Sequence, residues 1–476
     1  MKKITTIILS TISLYSYGDN TESTPAVINA NSTYIGKSTF IQDPYINVTT
    51  GGGTQKISDS QWESQNFAEH VFADGTWNVM AGAAAMYMGT GSGTAGFPAF
   101  GYGSNLFGQT GTVAGFSAGA MATVANPFFA RKMNTNTNAY NFNFMPANYD
   151  VNISEAFLEY QYSNIIQADV GLIGINNSPW LSMNYYNNTL VPGANYQGAL
   201  VNVYPGGGWL LTAVAFNTAQ LLGNSGFTPG TMYNTGTDKA SGIIVNTLHE
   251  TSNGTMAAGA NYAAWDNQYN LRIWDYQFDN YGNLFYIDNS IKFQTTKSLA
   301  FNIAAQGGIN RQTGSTSAFT YDGMGDISSN FVGLQAGLSY DWFSFNIGYN
   351  NIWGPSNAYG NGAISTPYTY GFATDPLYTT PFMAGLNDMG TAGQAYKFSP
   401  SFNFLSGNLS VAPAWTSFKT AAAEWNGTNE YDLIFTYNIP QIRGFTVFSA
   451  LAYQVVPEAN QNGNTVTTQV VVSYIY

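Results

Sequence analysis

From about Trp77 onward, polar and apolar residues alternate. In Ser154–Tyr162, Ala156, Leu158, Tyr160 and Tyr162 share one face, while Glu155, Glu159 and Gln161, together with Phe157, share the other. After Ser163-Asn164 the pattern resumes, with Ile166, Ala168, Val170 and Leu172 opposed to Gln167, Asp169 and Gly171. Phe285, Ile287, Ile291 and Phe293 oppose Tyr286, Asp288, Ser290 and Lys292, and Leu299, Phe301 and Ile303 oppose Ala300, Asn302, Ala304 and Gln306. Val332–Tyr340 alternates in the same way, turns at Asp341-Trp342, and continues through Phe343, Phe345, Ile347 and Tyr349. Period two broken by short turns predicts amphipathic strands joined as hairpins.

Alternation alone also suits a soluble β-sandwich, so the chemistry of the second face decides. A sandwich turns a Lys- and Glu-rich face to water. Here that face is Gly, Ser, Asn, Gln and Ala with a few acids. A polar interior behind an apolar exterior is the inverted arrangement of a membrane barrel. Tyr162, Tyr340, Trp342 and Tyr349 fall at strand ends, where aromatic girdles are expected. The last segment, Val466–Tyr476, alternates as well and ends on an aromatic residue, as closing strands of outer-membrane barrels do.

Composition sharpens this picture. Of 476 residues, 45% are hydrophobic and 16% aromatic but only 8% are charged, against about 25% charged in soluble domains. No run of 18 or more apolar residues is present to serve as a membrane helix; Val79–Met88 and Trp209–Phe216 are too short. A closed barrel is the other structure that satisfies every backbone group in lipid. The fold expected is therefore all-β: a transmembrane antiparallel β-barrel of about 18 strands, with 16 the alternative, long external loops and short periplasmic turns.

The N-terminus carries Lys2-Lys3, an apolar stretch from Ile4 to about Tyr15, and small residues at Ser16 and Gly18, the three parts of a secretory signal. Residues 1–18 are read as a signal peptide, 19–65 as a flexible polar leader and 66–476 as the barrel. Gly89–Gly103, Tyr185–Ala194, Phe216–Ser241 and Pro355–Gln394 are rich in Gly, Pro, Asn and Thr and read as long loops on the outer side.

Catalytic chemistry finds little to work with. Cys is absent and only His70 and His249 are present, which excludes thiol catalysis, disulfides and His-rich metal sites. His249 sits beside Glu250 in a turn-like stretch with no serine tied to it by spacing. Gly89-Thr90-Gly91-Ser92-Gly93 lacks the Gly-Lys-Ser/Thr ending of a phosphate loop. Asn126-Pro127-Phe128 departs from the Asn-Pro-Ala of fatty-acid transport barrels in its third residue. The net charge of −12 excludes a nucleic-acid partner. No enzyme and no cofactor are expected. The candidate pore-lining residues are Glu155, Glu159, Asp169, Arg272, Asp288, Lys292 and Asp432, charges whose parity places them on the polar face. In a narrow pore such charges select solutes by sign.

The stretch Ala156-Phe157-Leu158-Glu159-Tyr160-Gln161-Tyr162-Ser163-Asn164 through Asp169-Val170-Gly171, then Asn177-Ser178-Pro179-Trp180-Leu181 and Leu190-Val191-Pro192 to Tyr196-Gln197-Gly198, resembles the OprD-type substrate-specific porins. Trp274-Asp275-Tyr276 to Leu284-Phe285-Tyr286, Ala395-Tyr396-Lys397, and Asn429–Leu433 with Arg443-Gly444-Phe445 extend the resemblance over about half of the chain. It implies an 18-stranded monomeric barrel, a pore narrowed by inward-folded loops, periplasmic termini, and uptake of small carboxylated solutes. That family's lumen carries a ladder of Arg and Lys that guides the substrate carboxylate, whereas this chain has few basic residues: the only arginines are Arg131, Arg272, Arg311 and Arg443, and Asn188-Thr189 precedes Leu190-Val191-Pro192 where the family has an arginine.

The function expected is a porin in the outer membrane of a Gram-negative bacterium, passing small hydrophilic solutes such as amino acids, short peptides or ions. Its partners would be outer-membrane lipid, those solutes and the barrel assembly machinery, with the barrel a monomer or a trimer. The alternative is a surface adhesin or structural barrel with a plugged lumen.

Overall fold

The computed structural model describes residues 75–475 apart from 92–96, 128–148, 164, 176, 183–194, 221–227, 230–252, 266, 297, 315–324, 368–374 and 461–462. The signal and leader, both histidines, Arg131 and Tyr476 lie outside the described residues.

Eighteen long strands follow one another: β1 (Thr76–Thr90), β2 (Phe97–Gln109), β3 (Phe116–Pro127), β4 (Asp150–Tyr162), β5 (Ile166–Ile173), β6 (Asn195–Gly206), β7 (Trp209–Gln220), β8 (Thr255–Ala264) and β9 (Tyr269–Phe278). They continue as β10 (Gly282–Gln294), β11 (Leu299–Gln312), β12 (Ser328–Tyr340), β13 (Phe343–Trp353), β14 (Gly393–Phe404), β15 (Leu409–Thr420), β16 (Asn429–Asn438), β17 (Phe445–Val455) and β18 (Thr465–Ile475). Each pairs antiparallel with its neighbours in sequence, and β18 pairs back onto β1 from Met80↔Ile475 to Thr90↔Thr465. The sheet is thus a closed barrel. The two-residue strand Thr228–Pro229 extends the edge of β7.

The alternation read in the sequence is the barrel's inside and outside. Leu158, Val170, Ile303 and Leu334 are more than half exposed on the outer surface, whereas Glu155, Glu159 and Asp288 on the opposite face are fully buried. Aromatic residues collect near the strand ends: Trp209 packs on Tyr262 at 4.6 Å between ring centroids, and Trp342 stacks near Phe402 and Phe404. Such belts suit the level where lipid headgroups meet hydrocarbon.

At one end of the barrel neighbouring strands are joined by tight connections, among them Gly207-Gly208 and Asp341-Trp342, and the longer connections leave from the other. Gly208 has φ +85°, and a Cβ there would fall 2.0 Å from the Ala263 carbonyl oxygen, so the turn needs glycine for both conformation and space. The strands reach further than composition suggests. Gly89–Gly103, read as a loop, is largely β1 and β2, and the stretch from Phe216 continues β7 to Gln220. Further along β2, a Cβ at Gly108 would fall 2.3 Å from the Trp77 ring, so glycine there signals packing rather than irregular backbone.

Candidate functional site

Two of the longer segments fold back into the barrel. The stretch 174–182, after β5, has Asn177, Ser178, Trp180 and Leu181 buried. The second, 354–367 with 375–392 between β13 and β14, has Tyr359, Ile364, Asp375, Leu377, Leu386 and Asn387 buried, so composition identified it as a loop but not as one that turns inward.

The first segment is stitched to β6–β9. Asn177 donates to Asn202 Oδ1 (3.0 Å) and Thr212 Oγ1 (2.7 Å), Ser178 and Tyr276 share a hydroxyl–hydroxyl bond of 2.9 Å, and Tyr196 donates to the Leu181 carbonyl at 2.7 Å. Trp180 then stands edge-on to Tyr286 and Phe331. The inner face therefore carries large rings as well as the small polar residues expected. Phe107, Phe157, Phe216, Trp274 and Phe331 are buried there, and with the inward segments they form the apolar packing of the barrel interior.

The second segment meets two rows of inner-face residues. The first row crosses five strands in register: Arg272 (β9), Asp288 (β10), Gln306 (β11), Gly333 (β12) and Asn350 (β13). Arg272 Nε donates to both Asp288 carboxylate oxygens at 2.9 and 3.1 Å, Nη2 adds a further contact, and the Tyr286 hydroxyl donates to the same carboxylate at 2.7 Å. Gln306 satisfies both amide atoms when its nitrogen donates to the Pro376 carbonyl and the Tyr286 hydroxyl and its oxygen accepts from the Tyr378 and Asn350 N–H groups. Asn350 Oδ1 accepts from the Thr379 amide and hydroxyl at 3.0 Å each.

The second row crosses β14–β17 as Lys397, Thr416, Glu430 and Gln454. Lys397 Nζ donates to the Thr380 carbonyl of the inward segment. Two consecutive amides of that segment donate to wall carboxylates: Phe382 to Asp432 Oδ2 (3.2 Å) and Met383 to Glu430 Oε1 (2.6 Å). Between them the Phe382 ring packs on an apolar patch of the inner wall that includes Ile434, Phe448, Ala450 and Val471. Two further carboxyls belong to the segment itself. Burial pushes Asp375 up to about 6 despite the Leu377 amide and the Lys397 charge, and desolvation and then the charge of Asp375 push Asp388 up to about 8.

Each residue singled out from the sequence lies on the inner parity. Arg272 and Asp288 meet directly. Glu159 and Asp169 are register partners bridged by Gln167, and Glu159 also accepts from Gln109, Ser117 and Gln161. Glu155 lies on the same strand as Glu159, separated from these other groups in sequence, and Lys292 lines a recess near the tight-turn end with Asn270, Asn302 and Asn346. Asp432 sits under the inward segment. Glu430, Lys397, Asp375 and Asp388 were not among those candidates. Glu430 shares parity with Asp432, a signal present in the sequence, whereas nothing local marks Asp375 and Asp388 as inward-facing. Among the described residues no group of acidic or histidine side chains is placed to hold a metal ion.

A closed antiparallel barrel, apolar without, polar and aromatic within, and narrowed by segments folded into its interior, is the architecture of outer-membrane porins of Gram-negative bacteria, which are channels and not enzymes. The likeness is to the OprD-family porins of Pseudomonas aeruginosa: OccK9 (OpdG) superposes with a TM-score of 0.69 at 12% identity, covering 86% of this chain and 99% of that one. OpdK, solved with vanillate, gives 0.65 at 14% identity over 85% and 99%. OccK2 (OpdF), solved with glucuronate, gives 0.63 at 12% identity over 85% and 98%. No protein-family model matches the sequence, and no curated protein does.

Proposed function

We propose that this chain is a passive diffusion channel of the outer membrane for small hydrophilic solutes, amino acids, short peptides or ions among them. The supporting observation is the closed barrel narrowed from within by 177–182 and 375–392, both held to the wall by defined hydrogen bonds. Hydrogen bonds of about 1 kcal/mol each hold a constriction in place while leaving it able to rearrange. In this reading the tight-turn end faces the periplasm, lipid covers the apolar exterior, and the barrel assembly machinery inserts the chain. The seven candidate charges, Glu155, Glu159, Asp169, Arg272, Asp288, Lys292 and Asp432, then line the route.

Refolded protein in planar bilayers tests this: discrete conductance steps are expected, and uniform electrical silence would refute it. A second reading, a structural or adhesive barrel with a plugged lumen, draws on the seating of Phe382 against the inner-wall apolar patch. Deleting 375–391 separates the two. A porin gains conductance from an already conducting baseline, while a plugged barrel conducts only after the deletion.

A further inference from the structure

We propose that the lumen admits small cationic and uncharged solutes and turns carboxylates away, with Asp288 and the Glu430/Asp432 pair as the residues that set this preference. The inference rests on the channel reading above.

A wall that guides carboxylates needs basic groups whose charge is available to the passing solute. Among the described residues the inner wall offers Arg272, Lys292 and Lys397. Arg272 cannot play that part. Its guanidinium is gripped side-on by Asp288, both oxygens lie within hydrogen-bond reach of Nε, and the arginine side chain is 5% exposed. Side-on pairing of this kind occupies the Nε/Nη2 edge of the guanidinium with a carboxylate, and the burial of the side chain withholds the remainder from a passing solute. The Tyr286 hydroxyl donates to the same carboxylate and helps to hold it in place.

Lys397 is engaged in a different way. It is buried beneath the inward segment, donates to the Thr380 carbonyl, and faces Asp432, Glu430 and Asp375. Asp388 lies within the influence of Asp375 on the same segment. One ammonium is set among several carboxyls, so the field it sends into the lumen is offset by its surroundings. Lys292 lines a recess near the tight-turn end, and a single charge makes no ladder. Two independent sectors of the wall thus arrive at the same result: the basic residue is present and carboxylates offset it, Asp288 as the register partner of Arg272, and Glu430 and Asp432 two strands away from Lys397. Vanillate and glucuronate, seen in two of the similar porins, are both carboxylates, so the proposal separates this channel from those in a measurable property.

The experiment uses the full chain refolded in planar bilayers under a KCl gradient. The wild type is expected to show a reversal potential on the potassium side, and liposomes carrying it to admit lysine faster than glutamate. Asp288→Asn leaves Arg272 charged beside a neutral amide, and the potassium-to-chloride permeability ratio is expected to fall several-fold. Glu430→Gln combined with Asp432→Asn does the same at Lys397, and it serves as the test if Asp288→Asn loses the heat-modifiable gel migration of a folded barrel. Discrete steps with chloride preference in the wild type would overturn the inference and leave the channel standing. Unchanged selectivity in both folded variants would remove these carboxylates from the role. A wild type without any steps would remove the channel and the inference together.

Discussion

Gln306 and Asn350 reach each other across Gly333. They lie on either side of it in one register row, and the glycine leaves the space in which their side chains meet. A Cβ at 333 would stand 2.3 Å from Asn350 Nδ2 and 2.7 Å from Gln306. These two amides also hold Tyr378 and Thr379 of the inward segment. Gly333→Ala is therefore expected to displace both amides, weaken the docking by about 1 kcal/mol for each hydrogen bond lost, and raise single-channel conductance while the barrel still folds. An unchanged conductance histogram would show that the docking does not depend on this row.

Phe382 is the apolar counterpart of those polar anchors. Its ring is half-buried against the patch around Phe448 and Val471. Truncation to Ala removes contact area without touching the sheet. Conductance fluctuations should become larger and more frequent, with the urea midpoint of refolding in lipid little changed.

Asp375 and Asp388 make the docking depend on pH. Both carboxyls are raised above the ordinary 3.8, to about 6 and about 8. Their protonated forms favour the docked segment, so docking is strongest near pH 4 and weakens as pH rises through 6 and then 8. Ionisation at that point adds negative charge beside Glu430 and Asp432, with Lys397 to oppose it. Conductance and cation preference are both expected to increase between pH 4 and 8, and Asp375→Asn with Asp388→Asn should flatten the profile. A rise that survives in the double variant would assign the effect elsewhere.

The outer surface makes a different prediction. Leu334 lies mid-strand and is 58% exposed on the lipid-facing side. Arginine at such a position costs about 2–4 kcal/mol at the bilayer midplane. Leu334→Arg should lower the refolding midpoint and the yield of heat-modifiable barrel, whereas Gln335→Arg, one residue along on the inner face, should alter ion selectivity instead.

The strands and their two faces were legible because a barrel in lipid imposes a period of two on every strand, and Leu158 against Glu159 carries that information locally. The closing strand was legible for the same reason. The inward turn of 375–392 was not. What draws Met383 to Glu430 is a contact between residues distant in the sequence, and composition distinguishes a loop from a strand but not a loop's destination. The aromatic interior was also hidden. Phe157 appeared as an exception on the polar face, yet it belongs to a packed set with Phe107 and Phe216 whose partners come from other strands. Arg272 and Asp288 were each identified by parity, while their pairing depended on the register of β9 against β10.

The pairing of β18 with β1 makes the first of these strands to be synthesised the last to be satisfied. Until Thr465–Ile475 arrives, one whole edge of Thr76–Thr90 offers unpaired N–H and C=O groups to any other strand it meets. The ring is held shut by a seam that forms once, at the end, so a chain cut short before that segment keeps two sticky margins, and adding lipid does not mend them.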